Sequence, residues 1–413
     1  MDKPVYVVVT PFFPSPSNWQ GAYCYDFVMA LKRTGKFDVR VFVPGADGEY
    51  DYEDVRVTTF RVRQLPSAVF PFFFKRFNQR SFLSAILRSG TRVEDVAVCH
   101  GHTAFFSIYP LAVKTRNPRC LTLLHHHDPQ SFGLNLGRLR HLWLYNLLMF
   151  PVLRRLHEKI DCHVFISEMV RRSFLAAPDA SWTTYEGYRR QMRGLGFYRG
   201  ARIKRGVVLS NGVDSSRFSP FGKKPDDVFT IGCIGNFVDW KDQISLLRAF
   251  CILRKLRTMT KCESCTYLDR ARVVFIGSGP ERAKCEKYAR AKGLDVEFRD
   301  EVMHDELPEF YRSLDLFVLP SYFEGFGCVF TEAYACGVPF ITCEGQGIED
   351  LICDEDRDTW LCQQRNPDDL AAKIRNYIQK RPIQQLKGEF DIDKLVSFFA
   401  CQVDAFRQAI GSA

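Results

Sequence analysis

The chain has 413 residues, 46% of them hydrophobic and 25% charged, a globular composition with length for two or three domains. No apolar run reaches the roughly 18 residues of a membrane span, and 15 cysteines, an odd number without framework spacing, exclude a disulfide scaffold. The net charge of +9 is uneven: residues 1–205 carry 30 basic against 16 acidic side chains, a balance of +14, while the remainder carries 27 against 32. That asymmetry suits a phosphate-bearing partner or an anionic membrane face; no nucleic-acid partner is expected.

In chain order, "MDKPVYVVVTPFF" runs straight into a strand and lacks the layout of a signal peptide. Free thiols in a reducing cytosol follow as the expectation. "VYVVVT", the helical "GAYCYDFVMALKRTG" ending at Gly35, and "DVRVFVPG" form a βαβ unit, which implies a parallel, helix-covered sheet. "VFPFFFKRFNQRSFLSAILR" mixes Phe70, Phe72, Phe73, Phe74 and Phe77 with Lys75, Arg76, Arg80 and Arg88, and "GRLRHLWLYNLLMFPVLRRLHEK" is similarly basic and greasy. Their pattern fits helices with aromatic faces turned to a core; a peripheral place on the membrane's cytoplasmic face is the alternative. Further strands are expected at "DVAVCH", "CLTLLHH" and "CHVFIS", with His100 and His102 at one strand end and His125, His126 and His127 at another.

The Gly/Arg-rich "YEGYRRQMRGLGFYRGARIKRG" reads as a linker or loop. After "RGVVLSNGVD" a second series of strands begins: "FTIGCIGN", "RVVFIGSG", "DVEFRD", "LDLFVLP" and "VPFITCE". "KCESC" supplies Cys262 and Cys265, but a zinc site needs a second pair and only Cys285 is near, so a loop is expected. "VVFIGSGPE" lacks the third glycine of a dinucleotide fingerprint, and "DEDRD" at Asp354–Asp358 reads as an acidic loop. "DIDKLVSFFACQVDAFRQAI" is a helical tail with an apolar stripe. The chain is therefore read as α/β, with two Rossmann-like doubly wound parallel-sheet domains, residues 1–205 and 206–385, facing a central cleft, and a tail, residues 386–413, crossing back to the first.

"SYFEGFGCVFTEAYACGVPF" places Glu324 and Glu332 on either side of a glycine-bearing turn. A buried strand ends before it and a helix follows, stopping at Gly337. The amides of Phe326, Gly327 and Cys328 then belong to a helix start, which suits a diphosphate. Carboxylates on either side accept hydrogen bonds from hydroxyls, so the pattern fits a phosphate flanked by two polyols, a sugar nucleotide. The plain alternative makes Glu332 a helix-surface acid and Glu324 a turn residue.

"EGFGCVFTEAYACGVPFI" resembles the E-x7-E signature of the retaining glycosyltransferases of family GT4, which have the GT-B fold. "SNGVDSSRFSP" resembles the opening of that family's second domain, and "LTLLHHHD", "VVFIGSGPE" and "VEFRDEVMHDELPEFYRSLDLFVLPS" fall in the family's order. The resemblance implies that Glu332 holds the ribose, that Glu324 lies at the donor sugar, and that Lys241 in "GNFVDWKD" neutralises the diphosphate. Asn236 stands where the family usually has an arginine, so diphosphate stabilisation rests on Lys241 and the helix terminus. Gly21 is the one glycine kept in the loop after the first strand. His127, with His126 second, would contact the donor sugar, and Val302 and His304 would lie against the base. The implied chemistry is metal-independent transfer with retention, from a nucleotide-diphosphate sugar as co-substrate to a glycan or lipid-linked acceptor; no cofactor and no metal are expected. A sugar-nucleotide epimerase and a non-catalytic sugar-nucleotide-binding subunit are the competing readings.

Overall fold

The computed structural model describes residues 3–15, 20–63, 74–127, 152–175, 202–222, 228–260 and 271–411. The phenylalanines at 70, 72 and 73, the Cys262–Cys265 pair and most of the two basic stretches at 137–159 and 185–206 lie outside them. The chain divides into two compact units, one within Met1–Asp179, Gly194–Gly212 and Phe390–Ala413, the other within Val213–Glu389.

The first unit is built on eight strands: β1 (Val5–Val9), β2 (Asp38–Pro44), β3 (Gly48–Tyr52), β4 (Val55–Phe60), β5 (Val96–His102), β6 (Leu121–His126), β7 (Cys162–Phe165) and β8 (Gly206–Val208). Their spatial order is β3-β4-β2-β1-β5-β6-β7-β8. Every pairing is parallel except the β3–β4 hairpin. The valine-rich central strands are buried on both faces, as parallel sheets require. Helices α1 (Ala22–Arg33), α2 (Lys75–Arg88), α3 (Ile108–Arg116) and α4 (Glu168–Leu175) are distributed along this part of the chain. In α2 the inner residues Asn78, Phe82, Ala85 and Ile86 are buried, and Phe82 packs against Phe42, Phe60 and Tyr109. Phe82 thus turns to the core, while Phe74 and Phe77 are half-buried. Two features depart from the sequence reading. The hairpin β3–β4 was not foreseen, because its outer strand is polar and half exposed. The strand in "RGVVLS" pairs with β7 and so ends the first sheet, beyond the 205/206 boundary.

The second unit holds β9 (Thr230–Ile234), β10 (Arg272–Ile276), β11 (Val296–Arg299), β12 (Leu316–Leu319), β13 (Phe340–Cys343) and β14 (Leu361–Cys362), in the order β11-β10-β9-β12-β13-β14. All of its pairings are parallel. Its helices are α5 (Gln243–Thr260), α6 (Arg282–Ala291), α7 (Leu307–Arg312), α8 (Cys328–Ala335), α9 (Arg357–Trp360) and α10 (Pro367–Lys380). The acids of "DEDRD" lie on a turn and short helix, where Asp354 pairs with Lys387 and Asp358 with Lys373. The last helix, α11 (Ile392–Gly411), belongs to the first unit. Its Val396, Phe399, Ala400 and Val403 join the core around α1, and Asp393 pairs with Arg33 at 2.7 Å. The thirteen cysteines described are free thiols. Among the described residues no helix is long and apolar enough to cross a membrane.

The loops that follow β9 and β10 touch backbone to backbone. At Gly277, φ is +138° and a Cβ would lie 2.3 Å from the Gly235 carbonyl oxygen. Neither the dihedral nor the space admits a side chain. Gly277→Ala should destabilise the second unit by about 2–4 kcal/mol, read as a fall of several degrees in its melting temperature.

Candidate active site

In the second sheet β9 and β12 are neighbours, and the chain leaves them in opposite directions, β9 towards β10 and β12 towards β13. That is a topological switch point, where the loops beyond the strand ends diverge and leave a crevice. The two loops are Gly235–Lys241 and Ser321–Gly327. The first is anchored by Phe237, which is buried between Phe275 and Phe298 and donates its amide to the Ser278 carbonyl at 2.7 Å. The second is stitched to the first. Tyr322 N–H and Ser321 Oγ both donate to the Trp240 carbonyl, at 2.9 and 3.0 Å. Tyr322 Oη donates to Asp239, and Arg365, in the loop after β14, reaches both Asp239 and Tyr322 at 2.7 Å.

Across this seam Lys241 Nζ donates to Glu324 Oε2, with the two side chains 19% and 17% exposed. Glu324 is held by its own backbone. Its amide donates to Gln346 Oε1 at 2.6 Å, and its carbonyl accepts from the Gly347 amide at 3.1 Å. Gln346 is buried. Asn236 lies exposed in the same loop as Lys241, its carbonyl taken by Gln243 Nε2 at 3.0 Å and by the Val238 amide at 2.9 Å.

Helix α8 starts at Gly327, whose φ is +83°, and no side chain caps it. A Cβ on Gly327 would lie 2.7 Å from the Phe330 ring and 3.0 Å from Glu324 Cγ, so glycine is what lets Glu324 sit against the helix start. Phe326 is buried, which leaves its backbone as the part able to face a ligand, and Cys328 opens the helix half-buried. Glu332, one turn further on, is not a surface acid: it is 8% exposed. Tyr311 Oη donates to its Oε2 at 2.8 Å, and His304 Nε2 lies 3.6 Å from Oε1. Burial, with the neighbouring Glu332 carboxylate, raises the Tyr311 phenol well above its usual range. Tyr311 is thus a fixed donor. His304 packs on Phe218, and Val302 is half-buried two residues before it, in the loop after β11. Lys241, Glu324 and the α8 start form one group; Glu332 and His304 form an adjoining one.

In the first unit, Gly21 opens α1 at φ +93°, where a Cβ would lie 2.7 Å from the Phe12 carbonyl oxygen. His127 follows β6 directly. It rests on Tyr23 and His125, with ring centroids 4.7 and 4.3 Å away, and bonds through Nε2 to His102 Nδ1 at 2.9 Å. His126 points to the other face of the strand and is fully buried. Its Nε2 bonds to His163 Nδ1 at 2.9 Å. His163 Nε2 must donate to the His157 carbonyl, 3.0 Å away, so His126 is the donor in that pair. Its ring packs on Phe165 and Phe174, which leaves no surface of it for a ligand.

Sequence reasoning missed Tyr311, Gln346 and the Asp239–Tyr322–Arg365 group. Each looked like an ordinary helix or loop residue, and each matters through partners far away in the chain.

Comparison with solved structures gives the class. The sucrose-phosphate synthase of Thermosynechococcus elongatus superposes with a TM-score of 0.63 at 16% identity, covering 99% of this chain and 98% of that one. The fold is that of the GT-B glycosyltransferases. Residues 20–181 match the family model described as glycosyltransferase family 4, and residues 214–388 match the one described as glycosyl transferases group 1. Together they take in most of the sequence, and the chain belongs to the family 4, group 1 glycosyltransferases. Among curated relatives, the sulfoquinovosyl transferase of Arabidopsis thaliana is 32% identical over 30% of this chain, a match that spans only 24% of that protein. The GDP-mannose-dependent alpha-(1-6)-phosphatidylinositol monomannoside mannosyltransferase of Mycobacterium tuberculosis is 25% identical over 90% of this chain and 97% of its own length.

Asp242, next to Lys241, precedes α5: its carboxylate accepts from Ser245 Oγ at 2.7 Å, and its backbone carbonyl accepts from the Ser245 amide at 2.9 Å. Burial pushes its carboxyl up from 3.8 to about 6. The folded state therefore keeps a proton that the unfolded chain releases, and stability falls as pH rises from about 4 to about 6. The loss is on the order of 2–3 kcal/mol. Asp242→Asn should flatten that slope in urea titrations run across the window.

Proposed function

We propose that this chain moves a sugar from a nucleoside diphosphate sugar to a hydroxyl of a glycan or lipid-linked acceptor, with retention of anomeric configuration and without a divalent cation at the diphosphate. The observation that carries the reading is the Lys241–Glu324 pair at the switch point, beside an uncapped helix start. A diphosphate arriving there takes Glu324's place as the partner of Lys241 and meets the first amides of α8, with the positive end of the helix dipole behind them. Glu324, released, accepts from the hydroxyls of the donor sugar. Glu332 keeps one oxygen on Tyr311 and turns the other to the ribose, with Val302 and His304 against the base. Asn236 adds a neutral donor.

The anomeric carbon–oxygen bond breaks as negative charge gathers on the diphosphate, where Lys241 lowers the barrier. The acceptor oxygen bonds to the same face of the sugar, and its proton passes to the departing phosphate oxygen. The cation and the helix start supply positive charge where a metal would otherwise be needed. The printed names of two relatives fit this acceptor chemistry: the mycobacterial enzyme acts on a phosphatidylinositol mannoside, and a relative from Geodermatophilus obscurus is a D-inositol 3-phosphate glycosyltransferase. The basic balance of residues 1–205 suits such phosphate-bearing acceptors and a peripheral contact with an anionic membrane.

Thermal-shift screening against UDP-, GDP- and ADP-sugars selects the donor; NMR of the product then gives its anomeric configuration, and inversion ends the retaining reading. Lys241→Ala should lower kcat by about 10²–10³. Glu332→Gln should act mainly on KM, raising it about tenfold. Added Mg²⁺ or Mn²⁺ should leave the rate unchanged; a marked stimulation rules out metal-free departure of the diphosphate.

A further inference from the structure

The first unit holds a second cluster of chemistry-bearing side chains that the transfer reaction does not use. His100 and His102 are two residues apart on β5 and so share one face of the sheet. His125 stands on β6 in register with His102. The three rings lie 4.5, 5.0 and 5.3 Å apart between centroids, and one ring nitrogen from each lies within 4.8 Å of the others. All three residues are at most 2% exposed. Phe27 of α1 presents its edge to each of them, and Phe399 of α11 lies against His100. Yet His100 Nε2, His102 Nε2 and both nitrogens of His125 have no hydrogen-bond partner among the described residues. A buried polar atom left so costs about 1–3 kcal/mol, and four in one spot call for an occupant.

We propose that His100, His102 and His125 bind a transition-metal ion of the zinc type in the first unit, with a water completing the tetrahedron. The outer hydrogen bonds fit. A ring bound to metal through Nε2 carries its proton on Nδ1 and needs an acceptor there. His100 Nδ1 lies 2.9 Å from Tyr6 Oη, and His102 Nδ1 lies 2.9 Å from His127 Nε2. Ligating imidazoles must be neutral, and rings at most 2% exposed favour the uncharged form. A set of three imidazoles with no carboxylate selects zinc, copper, nickel or iron over calcium and magnesium. Bonds of about 2.0 Å in a tetrahedron put ligand nitrogens about 3.3 Å apart, so binding draws the rings together by small rotations. The sequence reading expected no metal on the strength of the family resemblance; the three ligands become neighbours only through the register of β5 and β6. The metal proposal does not depend on the proposed reaction.

The test is metal analysis of the full chain purified without chelator, by plasma mass spectrometry. About one equivalent of zinc or a related ion per chain is expected, lost in His125→Gln and kept in a Cys262→Ser/Cys265→Ser variant. Circular dichroism establishes that His125→Gln is folded. Should it not fold, Co²⁺ loaded into the unaltered chain decides instead: intense visible bands of a tetrahedral site without a thiolate charge-transfer band support the site. Weak octahedral bands, or a thiolate band, overturn it. So does a metal-free chain whose melting temperature is unmoved by added Zn²⁺, since the histidines are then a stack of neutral rings with buried water only. Metal that persists in folded His125→Gln places the ion elsewhere and also overturns the proposal.

Discussion

The second unit is organised around one electrostatic constraint, a lysine and a glutamate that meet with less than a fifth of either side chain exposed. Two charges withdrawn that far from water cost several kcal/mol apiece unless each is the other's partner. Their loops are therefore held from behind. Phe237 and Ser278 fix the loop of Lys241; Gln346 and Gly347 fix the backbone of Glu324; Trp240 and Tyr322 join the two. Such a pair is a poor contributor to stability and a good specifier of geometry. On the proposed reading it also tunes the site for exchange: an incoming diphosphate substitutes for the carboxylate, so the cation is never left unpaired in a dry crevice.

Much of the framework was legible in the sequence. Strands β9, β10, β12 and β13 are short apolar runs ending or starting at glycine or proline, as buried parallel strands read, and α8 ends at Gly337 where the pattern said it would; β14 was not foreseen, because two residues carry no pattern. The site was legible only through the family resemblance, because Lys241 and Glu324 are 83 residues apart and no periodicity links them. Tyr311 looked like a core residue of a short helix; its hydroxyl became meaningful only once Glu332 was found beneath it. The histidines show the opposite case. Alternation along a strand separates His126 from His125 and His127 with no further knowledge, so the opposite facing of His126 was within reach of the sequence. The pairing of His125 with His102 needed a strand register that the sequence does not carry.

The two units handle buried polarity differently. The second uses opposite charges and a fixed phenol, with donors aimed at carboxylates. The first uses neutral rings: His126 and His163 pass a hydrogen bond to the His157 carbonyl on one face of the sheet, and His102 bonds to His127 on the other. Its Asp161, with the side chain 12% exposed, is met by Lys114 at 2.9 Å and Lys204 at 3.0 Å and ties β6 to the turn before β7 through Thr122. Neutral imidazoles let polar groups approach one another without the desolvation penalty that ions incur, which is why so many fit beside one pair of strands.

The placement of α11 bears on how the molecule is made. Its apolar stripe completes the packing around α1, yet its residues are translated after every strand of the other unit. A ribosome therefore releases the whole second sheet while the earlier one still lacks a wall, with the flank of α1 uncovered. Domains ordinarily mature in the order of synthesis; here the half that begins first is the half that must finish last.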